Sequence, residues 1–202
     1  MGLPKLKTGY TVEQYLAIER AQDDRLGYLD GEIYAMAGES GEHGDISMNL
    51  SGLLHGQLKG SSCRARSKDT KVRSGPVLAA GDTKRCLFSY PDIVVICYSP
   101  EYLDERKDVV LNPSVIIEVL SDSTEAFDRG EKFSRFQSWN PSLSDYLLVS
   151  QDQPRIEHYT KQPDGSWTYR RALGLEAVVE IPNIRCTLKL AEVYDRVAFP
   201  KQ

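Results

Sequence analysis

The chain is poor in the residues from which many common sites are built. Its 202 residues include only 3 histidines, 4 cysteines, 3 methionines and 2 tryptophans. Cys63, Cys86, Cys97 and Cys186 are scattered without a C-x-x-C pair, which argues against a structural zinc site and fits reduced thiols. No H-E-x-x-H suggests a zinc hydrolase, and no P-loop or dinucleotide glycine motif suggests a nucleotide site. GESGEHG around Ser40 is not the G-x-S-x-G elbow of a serine hydrolase. Long apolar runs are missing too, since nothing approaches the roughly 18 residues of a membrane span. The opening MGLPKLKTGYTVEQYLAIE lacks the apolar centre of an export signal, so a cytoplasmic protein with no membrane partner is expected. Nor is there an excess of positive charge. With 25 Lys and Arg against 29 Asp and Glu, the net charge is -4, which speaks against strong nonspecific nucleic-acid binding but leaves room for a local basic patch.

What is present reads as an ordinary globular chain, 41% hydrophobic and 27% charged. A single domain over 1–202 is long enough to bury roughly 70% of its unfolded surface. TVEQYLAIERA, residues 11–21, predicts a helix capped by Thr11, with Gln14 completing a capping box. LGYLDGEIYAMAG reads as a hairpin turning at Asp30-Gly31. Residues 42–58 carry Ile46, Leu50, Leu53, Leu54 and Leu58 on one helical stripe, although Gly52 and Gly56 weaken it. CRARSKDTKVR, residues 63–73, gathers Arg64, Arg66, Lys68, Lys71 and Arg73. SYPDIVVICYS predicts a strand starting at Pro91, and YLDERKDVVLNP a polar connection. Residues 123–140 predict one helix capped by Ser123 or Thr124, with Phe127, Phe133 and Phe136 as core contacts. DYLLVSQD, RIEHYT, SWTYRRA and AVVEIP read as a meander extending the sheet, and AEVYDRV as a closing helix.

One residue breaks this pattern. In NPSVIIEVLSDST, residues 112–124, Glu118 sits among Val115, Ile116, Ile117, Val119 and Leu120, a run that predicts a central strand covered on both faces. An ionised carboxylate there costs several kcal/mol unless a cation, a metal or several donors compensate it. Asp92, at the mouth of IVVIC, lies 118 − 92 = 26 residues earlier, room for two strands and a loop, so both acids can converge on one point of one sheet. Two such carboxylates with a backbone carbonyl and waters suit Mg²⁺. Lys132, on the following helix, can point back toward the same strand ends. There an ammonium can orient or help deprotonate a water attacking a phosphodiester.

Tyr90-Pro91-Asp92-Ile93-Val94-Val95, then Ile117-Glu118-Val119-Leu120-Ser121 with Ser123-Thr124, then Phe127-Asp128-Arg129 and Lys132, resemble the Uma-type putative restriction endonuclease family of the PD-(D/E)XK nuclease superfamily. The stretch from Tyr28 to Gly38, His43, and Ser67, Asp69, Lys71 and Val72 are similar to that family's N-terminal half, so the resemblance covers roughly residues 10–197. It implies an α/β fold, a restriction-endonuclease-like mixed sheet core flanked by helices with added C-terminal antiparallel strands. It also implies an endonuclease, dependent on Mg²⁺ or Mn²⁺, that hydrolyses phosphodiester bonds in DNA and works as a homodimer. Asp92, Glu118 and the Val119 carbonyl would hold the metal, with Asp92, Glu118, Lys132 and His43 catalytic. Asp69 and Lys71 match the family and would line the cleft, while Arg66 belongs to the alternating cations of 64–73, which read either as a solvated strand edge or as contacts to successive phosphates of the nucleic acid. Leu120 stands where the superfamily's E-x-K places its lysine, and Lys132 supplies it from the next helix. Gly27 falls where relatives often carry a glutamate.

Taken singly, the same residues have plainer readings. Asp128 and Lys132 stand four apart, the spacing of an ordinary helical ion pair. His43 can cap or pack at its helix start, Asp92 can cap a strand, and a buried Glu118 can be satisfied by a Lys or Arg alone. The alternative function is thus a nuclease-fold binding or accessory protein with weakened chemistry.

Overall fold

The computed structural model describes residues 5–36, 38–76 and 85–199, with backbone alone for 5–8; Ala37, in the motif above, lies outside them. The unbroken apolar run of VIIEVL, interrupted only by Glu118, packs on both faces and makes it the centre of a core sheet. This strand, β9 (Val115–Leu120), is buried at every position.

Before it in the chain come β1 (Lys5–Thr8), α1 (Val12–Glu19), β2 (Leu26–Leu29), β3 (Glu32–Ala35), α2 (Gly41–Leu58), β4 (Cys63–Ser67), β5 (Lys71–Ser74), β6 (Leu87–Ser89), β7 (Ile93–Cys97) and β8 (Val109–Val110). After it come α3 (Glu125–Phe127), a π-helical turn (Asp128–Lys132), α4 (Phe133–Trp139), β10 (Asp145–Ser150), β11 (Arg155–Lys161), β12 (Trp167–Leu173), β13 (Val178–Ile181), β14 (Cys186–Lys189) and α5 (Leu190–Val193).

The core sheet runs β12-β11-β10-β9-β7-β4, antiparallel throughout except for the parallel β9–β10 pair. A second sheet runs β1-β3-β2-β6-β5-β8. On one face of the core sheet, Ile93, Val95, Ile117, Val119 and Leu147 pack against Ile46, Leu50 and Leu54 of α2 and against the β13–β14 hairpin. On the other face, Val94, Ile96, Ile116, Leu120 and Leu148 meet Val72 and Leu87 of the second sheet and Phe136 of α4. Strand periodicity puts Glu118 on this second face, between the two sheets. The far side of the second sheet is covered by α1 through Val12, Tyr15 and Leu16.

The capping box on α1 forms as expected, with Thr11 and Gln14 each accepting from the other's backbone N–H. The Asp30-Gly31 turn has positive φ at both residues, 49° and 95°, as a tight hairpin requires. Helix α2 is continuous through Gly52 and Gly56.

Three expectations are corrected, and one stretch to which no element was assigned is placed. Cys63 and Cys97 face one another in the β4–β7 register and form a disulfide, so only Cys86 and Cys186 are free thiols. The helix expected over 123–140 runs without a break from Glu125 to Trp139, but its middle, Asp128–Lys132, is a π turn between α3 and α4. Neither Ser123 nor Thr124 caps by its side chain, because both hydroxyls bond Ser121 Oγ instead, at 3.1 and 3.0 Å. AVVEIP leaves the core sheet: after Gly174, at φ 85°, the chain turns back and β13 pairs with β14, burying Val179 and Ile181 on the α2 face. The 63–73 stretch splits at a turn after Ser67, β4 joining one sheet and β5 the other.

Candidate active site

Asp92 precedes β7 at its N-terminal end. The proline before it cannot donate to a ladder, so the strand begins only at Ile93 and the Asp92 carboxylate is left at the sheet's mouth. Both of its oxygens are engaged. Oδ1 lies 2.8 Å from His43 Nε2, and Oδ2 accepts the Val119 N–H at 2.7 Å. One carboxylate therefore ties β7 to β9 and to the first turn of α2. His43 owes its place to Ser40, the N-cap whose hydroxyl accepts the His43 N–H. Burial works against a charged imidazole, but the hydrogen bond and charge of Asp92, helped by Glu39, raise its pKa overall.

Glu118 is 3% exposed and points between the sheets. Its Oε1 is 2.7 Å from Lys132 Nζ, an ion pair in which that oxygen receives no well-directed hydrogen bond. Lys132 donates to Asp128 Oδ1 at 2.9 Å, and Asp128 is also buried. The pair four residues apart is thus real but lies inside the protein. Desolvation pushes the Glu118 pKa well up, against the pull of Lys132, and Asp128 and Asp92 add to the rise. For Lys132 burial favours the neutral amine, yet the charges of Asp128 and Glu118 prevail and its pKa is raised. The π turn sets this geometry. An i→i+5 turn is rare and frequent at functional sites, and here the Tyr146 hydroxyl, wholly buried, donates to the Asp128 carbonyl at 2.9 Å.

His43, Asp92, Glu118, Val119, Asp128 and Lys132 all line one cleft of about 170 Å³. The residues expected to act together are therefore brought together. Asp69, Lys71 and Arg66, expected beside them or on the nucleic acid, are not in its wall. Lys71 is buried and paired with Glu19 and Asp108; Asp69 is exposed and 3.6 Å from Arg25; Arg66 donates to the Tyr102 hydroxyl at 2.8 Å. Cations do reach the cleft, but they are Lys68 and Arg25. Lys68 had a signal in the sequence, being two residues beyond Arg66 and four beyond Arg64, on the same side of an extended chain. Arg25 had none. Gly27 lies in β2, and a Cβ there would find only ordinary contacts, the nearest at 3.5 Å from Met36 Sδ.

The donor set fits a hard divalent cation. Asp92 and Glu118 both line the cleft, the one tied to His43 and the Val119 N–H and the other paired with Lys132, and Mg²⁺ is commonly held by one or two carboxylates with the remaining positions left to water and phosphate. No cluster of three or more His, Cys, Asp or Glu side chains suited to a metal occurs among the described residues.

A sequence model of the Uma2 family, described as "Putative restriction endonuclease", matches residues 12–191. Two curated relatives are uncharacterized proteins of Synechocystis sp. (strain ATCC 27184 / PCC 6803 / Kazusa). The protein slr1290 is 36% identical over 93% of this chain and 92% of its own length, and sll1609 is 32% identical over 84% and 91%. Among solved structures, the crystal structure of a putative nuclease belonging to DUF820 from Anabaena variabilis ATCC 29413 superposes with a TM-score of 0.72, covering 94% of this chain and 99% of that one. At 17% identity that likeness shows the fold.

Proposed function

Since the chain belongs to the Uma2 family, we propose that it is a metal-dependent endonuclease that hydrolyses phosphodiester bonds in DNA. The observation that carries this reading is the convergence of Asp92, Glu118 and Lys132 in one cleft. Asp92, Glu118 and the Val119 carbonyl would hold Mg²⁺ or Mn²⁺. Such an ion, when bound, supplies charge for the phosphoryl oxygens and acidifies a water. Lys132, kept cationic by Asp128, presents N–H donors that orient the attacking water rather than taking its proton. His43 holds the Asp92 carboxylate in place and turns a charged edge toward the phosphate. Because each chain carries one such cleft, cutting both strands calls for two copies, a homodimer.

A second reading keeps the fold without the chemistry. The Glu118–Lys132–Asp128 network balances its own charges, as a structural core network would. Calorimetric titration of Mg²⁺ and Mn²⁺ into wild type and Glu118→Gln, with a supercoiled-plasmid assay on each, separates the two. The nuclease reading expects metal binding and nicking in the wild type and loss of both in the variant. No metal heat and no nicking in the wild type would favour the binding protein.

A further inference from the structure

The end of the core sheet remote from the cleft carries a second concavity. Resting on the nuclease reading, we infer that it and the edge strand leading to it form a track for the phosphate backbone of duplex DNA entering the cleft. The groove, of about 720 Å³, is formed by the last turn of α2, the turn at 59–62, the start of β4 and Tyr98-Ser99. His55, Lys59 and Arg64 line it, no carboxylate does, and all three are exposed. Among the described residues neither Lys59 nor Arg64 has an ion-pair partner, in a chain whose net charge is -4. Tyr98 is 77% exposed and held at φ 60°, a conformation uncommon for a bulky residue, so its ring stands in solvent at the groove wall.

β4 joins groove to cleft. Among the described residues it is the edge strand of the core sheet, paired with β7 alone. Arg64 and Arg66 stand opposite Ile96 and Val94, on the face that carries Glu118, while Cys63 and Ala65 turn to the α2 face. Just past the end of β4, in the turn after Ser67, Lys68 stands in the cleft wall. Cations on one side of a strand repeat every ~6.7 Å, about two base-pair rises of a DNA strand. Arg66 is pre-oriented, donating to the Tyr102 hydroxyl at 2.8 Å with its guanidinium 5.7 Å from that ring. At the cleft end Glu39 holds Lys68, and a phosphate would replace it.

The distance suits a duplex. The six steps from Asp92 to Tyr98, which bracket β7, span roughly 20 Å, and the twelve from His43 to His55 along α2 span about 18 Å. The two rulers give about five to six base pairs between cleft and groove.

The test is binding of a 24-base-pair duplex, followed by fluorescence anisotropy in EDTA across a range of NaCl concentrations. The expected result is that Lys59→Ala/Arg64→Ala binds more weakly than wild type and that its slope of log K against log salt falls by about 2, one for each lost phosphate contact. Arg170→Ala/Arg171→Ala, which removes the same charge from β12 at the opposite edge of the sheet, should leave the slope unchanged. Equal slopes for wild type and Lys59→Ala/Arg64→Ala, equal losses in both double variants, or no duplex binding by the wild type would each overturn the track. Hydrolysis of bis(4-nitrophenyl) phosphate with Mn²⁺, a substrate reaching only the cleft, reports separately on the nuclease reading. Slope loss without hydrolysis would leave the track standing and that reading fallen.

Discussion

Among single residues Glu118 shows most directly how stability and chemistry oppose each other. Its folded pKa is raised, so the folded state holds its proton more tightly than the unfolded chain does, whose value is about 4.3. Stability from this group is therefore highest in acid and falls as pH rises from about 4.3 toward the folded pKa. Glu118→Gln removes that penalty and leaves Lys132 its bond to Asp128. It should melt above wild type at pH 7, by roughly 2–4 °C for each kcal/mol regained. The gap should close below about pH 4, while metal-dependent cleavage falls by at least ~100-fold. Scanning calorimetry from pH 4 to 8 checks the first part, and a midpoint lower than wild type throughout would refute it. At this scale much was legible. A charge inside an apolar run marks itself, as does an acid behind a proline. Lys71 was not legible, because the partner that buries it, Glu19, is 52 residues away and belongs to another element.

Elements followed their local patterns wherever those patterns were complete. Helix α2 kept its full length because Ile46, Leu50, Leu54 and Leu58 bury one stripe, which outweighs two glycines costing ~1 kcal/mol each. A Cβ at Gly52 or Gly56 would meet nothing within 4 Å outside the helix's own backbone. Gly52→Ala and Gly56→Ala should therefore each raise unfolding stability by about 0.5–1 kcal/mol, read as a higher urea midpoint with unchanged slope. A drop in either midpoint would mean that the site is more crowded than its backbone indicates. The π turn left no comparable trace in the sequence. Its hydrogen-bond shift depends on Tyr146 reaching in from β10, a tertiary contact that no helical periodicity encodes. Strand β13 was misplaced for a similar reason. Its alternation fits a sheet extension and a separate hairpin equally well, and only burial of Val179 and Ile181 against α2 decides between them.

For the molecule as a whole, the disulfide is the feature that composition concealed. Cys63 and Cys97 are 34 residues apart, and their meeting depends on the β4–β7 register. Closing a loop of that length is worth about 3–4 kcal/mol by the chain-entropy relation. Dithiothreitol, or Cys63→Ser/Cys97→Ser, should lower stability by that order in urea, and an unchanged midpoint would show that the bond adds nothing. The order of elements and the mixed core sheet were legible because strands and helices announce themselves by period. The division into two facing sheets was not, since β5 and β8 are too short to show which sheet they join.

The turn at Asp128–Lys132 holds one residue more than an α-helical turn would, and that surplus constrains how such a chain can vary. Deleting Arg129, Gly130 or Glu131 would restore a regular helix and rotate its two halves against each other by about 100°. Lys132 would then face away from Glu118. Chains of this kind can gain or lose residues in exposed connections at little cost, but the length of 128–132 is fixed by the lysine at its end.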